Sequence, residues 1–168
     1  MKIIGIDPGA KGCIVELDSK SQTARYLNIP YRFDGIIAFD IINAQFDYLR
    51  HVDHILLEKV GGRCGWGASQ TFKFGVNYGQ VLGYLWDRPH SLVAPKTWQG
   101  LAHAGTTMGS PKDRSRMAFV KLNPAPKVRA KDDGLIDAFH IARWGLRHFR
   151  QDFTDHWTFI NLEVTPNG

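Results

Sequence analysis

The segment Lys2-Ile3-Ile4-Gly5-Ile6-Asp7 constrains this chain more than any other. It is short and β-branched, and it stops at the turn Asp7-Pro8-Gly9-Ala10-Lys11-Gly12. Its apolar residues fill both alternating positions, so the strand it predicts is covered on both faces and lies inside a sheet. A second run of this kind, His54–Val60, carries Ile55-Leu56-Leu57 into Glu58. Each interior strand therefore ends near a single carboxylate. If the two are adjacent and parallel, both acids reach one sheet edge, the usual place for a site in α/β folds.

The rest of the chain supplies the remaining layers. Extended runs are predicted at Cys13–Leu17 and Ala24–Ile29, and helical spacing at Phe33–Leu49. The glycines of 61–67 require a loop. Helix, strand and helix follow at Ala68–Trp86, Ser91–Ala94 and Pro95–Ala102, then helices at Pro111–Leu122 and Asp132–Phe149. Three strands, a helix, and then alternating strand and helix predict an α/β domain with a mixed five-stranded sheet flanked by helices. One domain over 1–150 suits the 168-residue length. In the tail, 151–168, Phe153, Trp157, Phe159, Ile160 and Leu162 predict a segment docked on that domain.

A third acidic element, Asp132-Asp133-Gly134-Leu135-Ile136-Asp137, opens the last helix. Asp133 and Asp137 are four apart and stack on one helix face, where they repel unless a proton or cation lies between them. A divalent ion fills that role, being hard and oxygen-seeking. Asp132 reads as the helix N-cap, and the choice between Asp132 and Asp133 as the third acid stays open.

These motifs together resemble the RuvC family of Holliday junction resolvases. The resemblance rests on Ile4-Gly5-Ile6-Asp7-Pro8-Gly9, Leu56-Leu57-Glu58-Lys59 and Asp133-x3-Asp137-Ala138, in that order, over about residues 1–149. The shorter phage and chloroplast members share further features: the Gly-rich loop with Trp66, Gly75-Val76-Asn77-Tyr78-Gly79, Lys96-Thr97-Trp98, and Pro111-Lys112-Asp113-x-Ser115-Arg116. Bacterial RuvC spaces the last two acids by three. The spacing of four found here is that of the chloroplast-type enzymes, in which the earlier position is a His. The resemblance implies an RNase H-like fold in which Asp7, Glu58, Asp133 and Asp137 are the catalytic metal ligands. It also implies hydrolysis of four-way junction DNA to 3′-hydroxyl and 5′-phosphate ends, and a homodimer. Two Mg2+ (or Mn2+) ions would clamp the scissile phosphate, and no side-chain nucleophile is needed.

Charge agrees with a polyanionic partner. The formal net charge is +5, and between Lys112 and Lys131 seven cations face one acid, Asp113. Lys96, Lys112, Arg114 and Arg116 are the candidate phosphate contacts. Arg63 and Trp66, in the loop after Glu58, are candidates for DNA contact, with Trp66 either stacking on an unpaired base or folding over the domain edge. Gly75, Gly79 and Gly83 form one helical stripe that requires close approach of another backbone, either the chain's own sheet or the same helix of a second subunit.

Several classes are excluded. No apolar run reaches the ~18 residues of a membrane span, and the N-terminus lacks a signal-peptide pattern. The two cysteines, Cys13 and Cys64, fit a reducing, cytoplasmic setting and lack zinc-ligand spacing. Actin-like phosphotransferases need two such domains. The remaining alternatives are an RNase H-like nuclease for another branched DNA or RNA, and an inactive DNA-binding module on the same fold.

Overall fold

The computed structural model describes residues 1–61, 67–122, 128–129, 132–149 and 155–162, with the backbone alone for Tyr48. The strands are β1 (Lys2–Asp7), β2 (Cys13–Asp18), β3 (Thr23–Asn28), β4 (His54–Glu58), β5 (His90–Val93) and β6 (Thr158–Asn161). The helices are α1 (Phe39–Phe46), α2 (Ala68–Tyr84), α3 (Pro95–Ala102), α4 (Pro111–Leu122) and α5 (Asp133–Phe149). They build one mixed sheet of order β5-β4-β1-β2-β3-β6. β1 runs antiparallel to β2 and parallel to β4, and these two interior strands are the apolar ones that the sequence singles out.

Strand alternation splits the core in two. Ile3, Val15, Leu17 and Leu56 point to the face covered by α3, α4 and α5, with Trp98, Phe119, Phe139 and Leu146. Ile4, Ile6, Ile14, Ile55 and Leu57 point to the other face, where α1 and α2 supply Ile42, Phe46 and Val81. Helix α5 lies directly on β1. A Cβ at Gly5 would collide with the Ala138 carbonyl and the Ala142 amide, so glycine sets how closely helix and strand approach.

The structure corrects two expectations. The helix predicted over Phe33–Leu49 is confined to Phe39–Phe46, followed by a 3-10 turn at Asp47–Leu49. Residues 31–37 instead form a tight turn closed by a Tyr31–Ile37 bridge, with Gly35 at φ 80° and the Asp34 side chain accepting the Ile36 N–H. The Asp-Gly pair favours that turn over helix, and apolar spacing alone does not show it. The sheet also has six strands rather than five. The sixth comes from beyond residue 150 and pairs in parallel with β3. Phe159 packs against Phe119 and Phe139 at ring-centroid distances of 5.5 and 5.6 Å. Arg143 grips Asp155 just before β6 through two 2.7 Å bonds.

No described helix is long and apolar enough to cross a membrane. Cys13 is a buried free thiol, its pKa driven upward by burial and then by Asp7. Cys64 lies outside the described residues.

Candidate active site

The β1–β4 pairing runs from Ile3–His54 to Ile6–Leu57, and one further step sets Asp7 beside Glu58. Asp7 follows the alternation of Ile3 and Gly5, and Glu58 that of Leu56, so both side chains leave the sheet on the face that α5 covers. Helix α5 begins against the turn after β1. A Cβ at Gly134 would run into the Lys11 carbonyl and lie 3.2 Å from Asp7 Oδ2. That close approach brings the first turns of α5 to the two strand ends. Asp7, Glu58, Asp133 and Asp137 consequently line one cleft of about 550 Å3.

Each acid has its own environment. Asp7 Oδ1 accepts the Gly9 N–H at 2.9 Å, which folds the turn back over the carboxylate. Glu58 is 6% exposed, and its Oε1 accepts the Trp98 indole N–H at 3.2 Å. Asp133 receives Lys112 Nζ at 2.9 Å and Arg116 Nη2 at 2.7 Å. Its neighbour Asp132 accepts the Arg129 backbone N–H at 2.7 Å and is not among the residues lining the cleft. Asp137 is the most perturbed. Burial, then Asp7, Glu58 and Asp133, push its carboxyl up to about 8, with Lys112 pulling weakly the other way.

A buried acid that keeps its proton to that pH belongs to a set short of positive charge. Four carboxylates from three separate elements, one of them raised by burial and then by its acidic neighbours, fit hard divalent cations as ligands. Among the described residues, however, no three His, Cys, Asp or Glu side chains already converge as a ligand shell. Three of the four are held by protein donors instead, Asp7 by the Gly9 N–H, Glu58 by Trp98 and Asp133 by the α4 cations.

The basic residues divide. Lys112 lines the cleft and Arg116 reaches it through Asp133. Lys96 is exposed in the first turn of α3, and Arg114 is half-buried on α4; neither lines the cleft. Arg63 and Trp66 lie outside the described residues. The three glycines of α2 are exposed, with nothing within 4 Å of where a Cβ would stand, so the stripe does not pack on the chain's own sheet. Phe72, Val76 and Trp86 are exposed on the same helix and just beyond its end.

Other cleft residues escape a reading of the sequence. Gln70, Lys73 and Asn77 form a polar face of α2, at spacings of three and four, and line the cleft together with Lys112. Asn77 Nδ2 donates to the Tyr31 hydroxyl at 3.3 Å, which donates to the Gly9 carbonyl at 3.4 Å. Burial and then Asp7 push the Tyr31 hydroxyl up to about 12, so it stays protonated and able to donate. The spacing on α2 is legible as a polar stripe, but nothing local in the sequence joins it to Tyr31 or Gly9. Lys11 also lines the cleft, from the turn after β1.

No protein-family model and no curated protein sequence matches the chain. Among solved structures it is similar to Thermus thermophilus RuvC, with a TM-score of 0.58 and 18% identity over 92% of this chain and 98% of that one. It is also similar to T. thermophilus RuvC in complex with its Holliday junction substrate, with a TM-score of 0.57 and 18% identity over 90% and 96% of the two chains. The fold is thus the mixed-sheet, RNase H-like fold of RuvC structures.

Proposed function

We propose that this chain is a divalent-metal-dependent endonuclease that resolves four-way DNA junctions as a homodimer. The observation that carries this reading is the convergence of Asp7, Glu58, Asp133 and Asp137 on one cleft of a RuvC-type fold. A DNA-binding scaffold gains nothing from gathering acids in one cleft, where burial and then the neighbouring carboxylates raise the pKa of Asp137. When bound by these carboxylates, a pair of Mg2+ or Mn2+ ions supplies water activation and charge neutralisation at the phosphate.

The chain's own residues do the remaining work. Gly9 and the turn it opens hold Asp7 at the cleft floor. Lys112 and Lys11 on one side, and Lys73 on the α2 side, offer cations to the phosphates flanking the scissile bond. The exposed α2 face of Phe72, Val76, Gly79 and Gly83 supports pairing with a second copy across a two-fold axis. A junction has two equivalent strands to cut, and a two-fold dimer presents two clefts to them. The test is divalent-ion-dependent cleavage of a synthetic four-way junction beside duplex, flap and RNA substrates. Cleavage of the junction alone supports the reading, whereas preference for flap or RNA transfers the same site to a different branched substrate.

A further inference from the structure

The structure assigns Trp98 as the positioning residue for Glu58: its indole N–H holds one carboxylate oxygen and so fixes how Glu58 faces the cleft. This rests on the metal-nuclease reading above and extends it to a residue outside the four acids.

The geometry begins in the sheet. Glu58 pairs with Val93 at the end of β5, and the Lys59 N–H donates to the Val93 carbonyl at 2.8 Å. The chain then enters α3 through Pro95 in the first turn, a residue whose fixed φ suits a helix start. The next turn returns Trp98 over Glu58, with Nε1 at 3.2 Å from Oε1. Trp98 is 1% exposed, and its ring lies nearly parallel to that of His140, with centroids 6.3 Å apart and an interplanar angle of 10°. His140 is anchored in turn, its Nε2 donating to the Ser115 carbonyl of α4 at 2.9 Å. The indole is therefore packed into one orientation by two other helices.

An indole N–H only donates, so it serves a carboxylate oxygen and nothing else at that position. Hydrogen bonds to an ionised acceptor are stronger than neutral ones, more so where water is excluded. Outer partners of this kind set the orientation of metal-ligating carboxylates, and losing one weakens metal binding by about 10- to 100-fold. The other three acids have different surroundings: Asp7 meets its own turn, Asp133 meets Lys112 and Arg116, and Asp137 is partly buried in the cleft. The Trp98–Glu58 hydrogen bond joins one of the four acids to a fully packed side chain.

The test is a double-mutant cycle on Mn2+ affinity, measured by calorimetry on the full-length protein. Trp98→Phe keeps an aromatic ring and removes the donor. It is expected to weaken Mn2+ binding about tenfold in the wild-type background and less than twofold when Glu58→Gln is already present. A tenfold loss in both backgrounds, or no loss in the wild type, overturns the assignment. If the wild type binds no Mn2+ at all, the metal-nuclease reading fails first and takes this inference with it. A second measurement does not depend on Trp98→Phe folding. In 15N-tryptophan-labelled protein, one indole N–H resonance should move on Glu58→Gln and again on titration with Mg2+. Indole resonances that all ignore Glu58→Gln would contradict the assignment.

Discussion

Arg116 Nη2 lies 2.7 Å from Asp133 Oδ1, so a residue proposed to grip DNA phosphate is bound to a residue proposed to hold metal. Lys112 Nζ meets the other oxygen of the same carboxylate at 2.9 Å. Lys112 is 68% exposed and Arg116 32%, and partly exposed pairs of this kind contribute at most about 1 kcal/mol. Such a pair is easily exchanged. On the proposed function, phosphate would compete for the cations and a divalent ion for the carboxylate, so each ligand would favour the other.

Asp133→Asn therefore strengthens junction binding in metal-free buffer, because it releases both cations. The slope of log affinity against log salt steepens by roughly one to two units as these cations become available to phosphate. Lys112→Ala and Arg116→Ala do the reverse, flattening the slope. Filter binding or fluorescence anisotropy at several salt concentrations checks both signs. An Asp133→Asn protein with unchanged affinity and slope would show that the pair does not restrain the cations.

The Asp137 carboxyl predicts a pH signature. Folded, it keeps its proton to about pH 8, whereas its ordinary value is 3.8. Between these values the folded state binds more protons than the unfolded chain. This group's stabilising contribution is thus complete below about pH 4, shrinks as the pH climbs, and is lost once the pH passes about 8. In chelator, Tm should fall across that interval, and Asp137→Asn should abolish this part of the fall. Excess Mg2+, which favours the carboxylate, should flatten it. A metal-free profile that is the same in wild type and Asp137→Asn contradicts the assignment of the proton.

Gly79→Leu tests the dimer. With nothing within 4 Å of the added Cβ, the subunit accommodates the side chain. Replacing an exposed helical glycine also contributes up to about 1 kcal/mol through helix propensity. The isolated subunit should be folded and no less stable, yet monomeric by light scattering. It should nick junctions without cutting the paired strands in concert. A Gly79→Leu protein that remains a dimer moves the interface away from α2.

The sequence shows some of these features and hides others, for physical reasons. β1 and β4 are legible because interior strands need apolar residues on both faces, and Asp7 and Glu58 stand out as the polar ends of such runs. The four-residue step from Asp133 to Asp137 is legible because it is a helix repeat. The start of α1 is not, since Phe33 and Ile36 continue an apolar rhythm while Asp34-Gly35 turns the chain. β6 is short and mostly exposed, and Phe119, Phe139 and Arg143 hold it from elsewhere in the chain through Phe159 and Asp155. The Asn77–Tyr31–Gly9 chain spans distant segments, and Trp98–Glu58 spans forty residues. Such contacts exist only once the sheet has formed. The double engagement of Lys112 and Arg116 also depends on α4 lying against α5, which charge counting does not reveal.

The proposed function has the four carboxylates of one cleft hold the metal for strand cleavage. Its most direct test is a single-turnover assay on a synthetic four-way junction with Mg2+ or Mn2+, comparing wild type with Asp7→Asn, Glu58→Gln and Asp137→Asn. Metal-dependent cuts leaving 5′-phosphate and 3′-hydroxyl ends are expected. Each variant should lose at least about a hundredfold in rate while still binding the junction. Wild-type-like cleavage by Asp137→Asn, or equal cleavage in chelator, would contradict the proposed function.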